Sequence, residues 1–288
     1  MVASRTLDTD LRGLDALDTP RIESRNRGVV VWSAAWPKLL AITLALATWQ
    51  VIVWSGWKPT YILPGPQEVL SRLGSEFTHS TFYRAVSVTL QRAVTGFALA
   101  AVLGSLLGLA VSQSRILRRG IGSLITGLQT MPSITWFPFA ILVFKLSEAA
   151  ILFVIVLGAG PAIANGLISG VDHIPPILLR AGRVLGARGL AWWRHVIFPA
   201  ALPGYVAGLK QGWAFAWRSL MAGEILVIIA SRPSIGVRLK FAYEMADAAG
   251  LMAMMLVVLF IGIAMDGLVF GAMERRILRN RGLLTGSR

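Results

Sequence analysis

Five ionisable residues stand inside stretches that are otherwise apolar: Arg92, Lys210, Arg218, Glu224 and Asp266. A charge held away from water is costly, so each must reach water, a headgroup or an opposite charge. The chemistry open to them is ion pairing, gating or recognition of a charged solute. Bond-breaking chemistry finds no support. The chain has no cysteine, which excludes disulfides, iron–sulfur clusters and thiol catalysis. Its three histidines, at 79, 173 and 195, lack metal-ligand spacing. No G-x-x-x-x-G-K-S/T run occurs, so the chain cannot hydrolyse ATP by itself.

Spacing sorts these residues further. At about 100° per residue, Lys210, Trp217 and Glu224 share one helical stripe, and Gln211 and Arg218 form a neighbouring one. A helix cannot turn both stripes to lipid, so this one lines a solute pathway or a subunit interface. Glu224 is a gate or a helix-packing residue, and Lys210 can reach the headgroups. Arg92 either attracts an anionic substrate or pairs with Glu224 or backbone carbonyls. Gln129, Thr130 and Asn165 sit beside Pro132 and Pro161. Proline frees carbonyls, so these polar groups either line a cavity or re-satisfy the freed backbone. Gly104 and Gly108 form a G-x-x-x-G pair that favours close helix contact, and Asp266 reads as a structural partner.

The elements that hold these residues are apolar helices. Of 288 residues, 55% are hydrophobic and 15% charged, and the mean hydropathy is +0.66. That is too apolar for an ordinary soluble domain. About 20 apolar residues cross ~30 Å of hydrocarbon as a helix. Six stretches qualify, at roughly 36–54, 85–111, 121–144, 149–170, 202–230 and 250–273. Pro132 and Pro138 interrupt the third, and a tight turn near Ser147 and Glu148 joins it to the fourth. Segments of alternating hydrophobicity, which a β-barrel needs, are absent. The expected fold is therefore an all-α membrane protein with six transmembrane helices.

The net charge of +14 suggests a membrane orientation signal rather than nucleic-acid binding, because the basic residues fall between the apolar runs. One side of the membrane receives 17 of the 28 Lys and Arg residues and the opposite side 7. The positive-inside rule then places both termini in the cytoplasm. Tryptophans 32, 36, 54 and 57 bracket the first span as interfacial anchors. Residues 1–31 read as a cytoplasmic tail. Leucines 7, 11, 14 and 17 among aspartates there also fit a short amphipathic helix. No cleavable signal peptide is expected. Residues 32–288 form the transmembrane domain, with a cytoplasmic loop at 171–199.

That loop is the most informative stretch. Pro175 and Pro176 open it, a short helix runs toward Leu185, and Gly186 stops it. Arginines 180, 183, 188 and 194 hold it at the surface, and Pro199 and Pro203 restart a membrane helix. Its text reads Arg180-Ala181-Gly182, three residues, Gly186, nine residues, then Val196-Ile197-Phe198-Pro199. This resembles the signature loop of binding-protein-dependent ABC importer permeases, E-A-A, three residues, Gly, nine residues, I-x-L-P. Arg180, Gly182 and Phe198 depart from it. Met131 to Pro138, Phe144 to Glu148, Leu63 to Pro66, Asp266-Gly-Leu and Glu274 to Arg276 are similar to the aliphatic sulfonate, taurine and nitrate permeases of that family. Together the similar stretches cover roughly residues 38–280.

The resemblance implies the type I importer fold in a bacterial cytoplasmic (inner) membrane. It implies that segment 176–190 docks on an ABC ATPase, with Arg180, Ala181, Gly182, Arg183, Gly186 and Pro199 as the ATPase-coupling residues. Two ATPase copies would hold the ATP and Mg, and this chain would bind no cofactor. An extracytoplasmic substrate-binding protein and a second permease copy would complete the assembly. The implied activity is ATP-driven alternating access for a small organic anion, an aliphatic sulfonate or taurine, or else nitrate. Arg92, Gln129, Thr130, Asn165, Gln211, Trp217, Arg218 and Glu224 are the pathway candidates. The alternative is a stand-alone secondary transporter, which needs a coupling-ion site. A membrane-embedded enzyme and a channel are the remaining rivals.

Overall fold

The structure is a computed structural model, and it describes residues 27–280. The amphipathic alternative for the leucines of the N-terminal tail falls outside them. Every element among the described residues is helical. The chain divides into two units, 1–58 and 59–288. In the first, helix α1 (Arg27–Trp54) contains a 20-residue apolar stretch, Ala35–Trp54, long enough to cross a membrane.

The second unit is built around three long helices. They are α3 (Ser80–Gln113), α6 (Glu148–Asp172) and α9 (Phe198–Leu226). Short α2 (Pro66–Glu76) precedes them. The buried face of α3 is small: Ala85, Ala93, Gly96, Ala100, Gly104 and Gly108 recur at helical spacing. Its exposed face is large and apolar, with Val94, Val102, Leu103 and Leu106. Small residues inside and bulky ones outside is the pattern of a helix between protein and lipid, where close backbone approach supplies the packing.

Glycines set those approaches. A Cβ added to Gly104 would stand 2.5 Å from the carbonyl oxygen of Gly160, and one on Gly108 would stand 2.8 Å from that of Ala164. The G-x-x-x-G pair of α3 thus seats α6. On the other side of α6, a Cβ on Gly208 would lie 2.6 Å from the Cα of Gly166, and one on Gly204 would lie 2.5 Å from that of Gly170. Helix α6 is held between α3 and α9 with backbones in contact on both sides. Pro161 lies within α6 without ending it. Phe137, Ile151, Ile155, Ile163, Trp213 and Leu220 fill the space that remains.

These contacts fix the directions. Gly104 meets Gly160 and Gly108 meets Ala164, so α3 and α6 run parallel. Residues 114–147 must therefore travel back along the bundle. They do so as α4 (Arg115–Thr130), a 3-10 turn at Ser133–Trp136 and α5 (Phe137–Phe144), with a bend of 102° between the two helical pieces. The third apolar stretch is thus a broken passage rather than one straight span. Met131 and Pro132, with extended backbone, separate its halves. Lys145, at φ 58°, turns the chain into α6.

Helix α9 returns antiparallel to α6. A continuous helical stretch, α11 (Ala248–Ala264), a π turn at Met265–Phe270 and α12 (Gly271–Asn280), then follows. Four helical stretches are long and apolar enough to cross a membrane, and the bent pair makes a fifth. Helix α9 has the length, 29 residues, but carries Lys210, Gln211, Arg218 and Glu224 along it. Of its charges, Glu224 is buried in the protein, whereas Arg218 stays exposed. At one end of the bundle lie α7 (Pro176–Val184) and α8 (Gly189–Trp192); at the other lies α10 (Ile235–Glu244).

Candidate functional site

Two groups of polar residues stand out, one at the α10 end and one along the open face of α9. The first is a closed network. Glu224 is fully buried and Arg92 is 3% exposed. The Arg92 Nη1 donates to Glu224 Oε1 at 3.0 Å. Its Nε and Nη2 grip both oxygens of Glu148 at 2.9 and 2.6 Å, a two-pronged geometry that strengthens an Arg–carboxylate pair. Arg232 reaches the same Glu148 at 3.3 Å. Two cations and two carboxylates thus balance in one place.

Backbone groups complete it. Glu224 Oε2 accepts from the Gly236 N–H at 3.0 Å and from Thr89 Oγ1 at 3.0 Å. Thr89 in turn accepts from the Ile235 N–H at 3.0 Å. Those N–H groups belong to the first turn of α10, which has no helical carbonyl to meet them, and a carboxylate suits that positive helix end. Gly236 leaves the room, because a Cβ there would strike the Cβ of Glu224. The network ties α3, α6, α9 and α10 together. Of the roles open to Arg92 and Glu224, the ion pair is the one the geometry fits. Glu148 and Arg232 were not singled out from sequence. Glu148 was visible as an acid at a helix start, but its pairing depends on the parallel course of α3 and α6.

The two stripes of α9 separate. Trp217 and Glu224 face inward, Trp217 stacking on Trp213 at 6.2 Å between ring centroids. Trp217 also borders a cavity of about 600 Å³, shared with Met221, Leu239, Met255 and Asp266. Lys210, at the edge of that stripe, pairs with Asp266 at 3.2 Å. Gln211 and Arg218 are exposed on the other stripe. Asn165 is exposed on α6 and donates to Gln129 of α4 at 3.3 Å. Thr130, also exposed, donates back to the Gly127 carbonyl. The structure therefore joins Asn165 to Gln129 and Arg92 to Glu224, and places Gln211 and Arg218 together on an open face.

The loop at 171–199 folds as a helical hairpin. Helix α7 starts on Pro176, and its end is followed by Gly186 at φ 79° and Gly189 at φ 55°, left-handed conformations that favour glycine. Gly182 is buried where α7 meets the returning segment. A Cβ there would stand 2.7 Å from Val196 Cγ2 and 2.9 Å from Trp192 Cζ3. That contact leaves little room for any side chain at Gly182. Arg183 lies over the Trp192 ring at 6.0 Å. Arg180 and Ala181 are exposed, and so is Pro199 in the first turn of α9. The hairpin tip carries Val184, Leu185 and Leu190, each more than 80% exposed. Arg118 and Asp172, paired at 2.6 Å, tie α4 to the end of α6 at the base.

A bundle of membrane helices with small residues turned inward and a helical hairpin projecting at one end has the form of an ABC importer permease of type I. A profile of the binding-protein-dependent transport system inner membrane component matches residues 73–279, and the chain belongs to that family. It is a multi-pass membrane permease subunit rather than an enzyme. Its relatives include the nitrate import permease protein NrtB of Synechococcus elongatus, 28% identical over 248 residues, covering 81% of this chain and 86% of that protein. The taurine transport system permease protein TauC of Escherichia coli is 26% identical over 255 residues, covering 84% and 91%. A chain from the MetNI methionine ABC transporter, solved in an inward-facing conformation, shares the fold. Its TM-score is 0.59 at 19% identity, over 68% of this chain and 96% of that one.

Proposed function

We propose that this permease moves a small organic anion inward by ATP-driven alternating access, with an aliphatic sulfonate, taurine or nitrate as cargo. The observation that carries the reading is the hairpin of α7 and α8, whose tip exposes Val184, Leu185 and Leu190 beside Arg180 and Arg183. Exposed apolar side chains ringed by cations fit an apolar groove with acidic edges on a partner. In this reading the partner is an ABC ATPase, present in two copies that bind ATP and Mg. Arg180, Ala181, Gly182, Arg183, Gly186 and Pro199 form or support the coupling surface. The permease works as a homodimer in a bacterial inner membrane, with both termini and residues 171–199 cytoplasmic. An extracytoplasmic binding protein delivers the cargo at the α10 end. The anion class rests on the kinship with NrtB and TauC, named for nitrate and taurine.

Arg92, Glu224 and Trp217 shape the pathway from within the bundle, and Gln129, Thr130, Asn165, Gln211 and Arg218 face it. The experiment is purification of the tagged chain from its native membrane. A Walker-motif ATPase at one-to-one stoichiometry is expected, and Leu185→Asp should release it. Recovery of the permease without any ATPase, together with uptake driven by a proton gradient alone, would replace this reading with a secondary transporter.

A further inference from the structure

The cations deep in the bundle differ in one respect. Of Arg92, Lys210 and Arg218, the first two have carboxylate partners. Arg218 has none among the described residues. Its Nε donates to the Ala214 carbonyl of its own helix at 3.1 Å, and its guanidinium lies over the Phe215 ring at 4.9 Å. Arg218 stands eight residues from the α10 end of α9, about 12 Å at ~1.5 Å per residue. An arginine escaping to the nearer headgroups would extend toward that end. This one folds back along the exposed stripe toward Ala214, one turn nearer the middle of α9.

The surroundings of Arg218 are not those of a lipid face. Exposed positions on α3 and α11 are bulky and apolar, as at Val102, Leu106, Leu259 and Ile263. Between the apolar Phe198 and Leu226 near its ends, α9 exposes Pro203, Ala207, Gln211, Ala214 and Arg218 along its middle. Two alanines, an amide and a guanidinium offer lipid little and cost much to bury there. The same composition suits a surface wetted by water or passed by a solute. Arg92, by contrast, is saturated by two carboxylates and has no charge to spare for an anion.

We infer that Arg218 is the residue that meets the anionic head of the cargo inside the passage, selecting for a small oxyanion such as a sulfonate or nitrate, while Arg92 serves the fold. The inference rests on the permease reading above. In a homodimer two copies of Arg218 would line one passage and favour anions twice over.

The test uses the absence of native cysteine. Ala214→Cys and Gln211→Cys are each introduced singly into the full chain, kept in its membrane with its partners. Each thiol is then reacted with anionic methanethiosulfonate ethylsulfonate or with cationic methanethiosulfonate ethyltrimethylammonium. A thiol must ionise to react, so modification itself reports water. Both reagents should label both sites. The anion-to-cation rate ratio should fall about tenfold when Arg218→Gln is added and should persist with Arg218→Lys, as expected for one charge within a few ångströms. If Arg218→Gln impairs folding, the unmodified Arg218 background still decides, because raising salt from 10 mM to 1 M should lower the ratio. Failure of both reagents at both sites would show a sealed face and overturn the inference. A ratio insensitive to Arg218 and to salt would overturn it too. Neither result touches ATPase co-purification, on which the permease reading stands or falls separately.

Discussion

Replacing Glu224 with glutamine should destabilise the protein far more than any comparable change at the surface. The carboxylate is fully buried and receives Arg92, Thr89 and the Gly236 N–H. Each of those three groups is a donor. Glutamine supplies one acceptor oxygen and turns an NH2 toward a donor, so at least one contact becomes repulsive. Breaking a buried ion pair by removing one partner costs about 3–5 kcal/mol. Arg92 keeps Glu148, which argues for the low end, about 3 kcal/mol. In a chain of this size about 1 kcal/mol moves the midpoint of thermal unfolding by roughly 2–4 °C, so a fall of about 6–12 °C is expected. The assay is thermal unfolding in detergent, followed by the fluorescence of the ten tryptophans. Lys210→Gln is the control. It neutralises an exposed pair with Asp266 and should move the midpoint little, since exposed pairs contribute ~1 kcal/mol at most. A Glu224→Gln protein that melts within about 2 °C of the wild type would refute the reasoning.

Three further outcomes follow from packing. Gly182→Leu drives a side chain into Trp192 and Val196 and should tilt the hairpin, raising ATP turned over per substrate imported while the fold survives. Unchanged stoichiometry would separate the hairpin from energy coupling. Gly186→Trp adds bulk at a left-handed position in open space, so stability should fall by only about 1 kcal/mol while coupled uptake is lost. Wild-type uptake in that variant would count against the docking surface. Gly208→Leu, against the Gly166 backbone, should prevent accumulation of folded protein altogether, whereas Gly120→Leu, in open space, should be tolerated. Equal expression of the two would contradict the close α6–α9 contact.

Much of this fold was legible in the residues. The apolar runs located the long helices, and proline and glycine marked both ends of α7. The Gly104 and Gly108 spacing pointed to a helix contact that α6 fills. The seat of α9 on α6 uses Gly166, Gly170, Gly204 and Gly208, at the same four-residue spacing, and was readable by the same rule. Other features required the fold. The prolines near 132 signalled an interruption, but the 102° bend depends on α3 and α6 running parallel, which no local pattern encodes. Stripe analysis separated Lys210, Trp217 and Glu224 from Gln211 and Arg218, yet both stripes are polar, so periodicity could not say which turns inward. Burial against α6 and α10 decides that. Glu148 as a second acid for Arg92 was invisible for the same reason, because its position follows from which helices lie side by side.

Backbones in direct touch on both sides of α6 leave nothing soft between it and its neighbours. Side chains can swing; peptide planes pressed together cannot. Any change of shape should therefore carry α3, α6 and α9 together as a single beam, with the give at the Met131–Pro132 joint. A push arriving at the α7–α8 hairpin would be relayed along the beam to the far end almost undiminished, as a lever moves rather than as a spring bends.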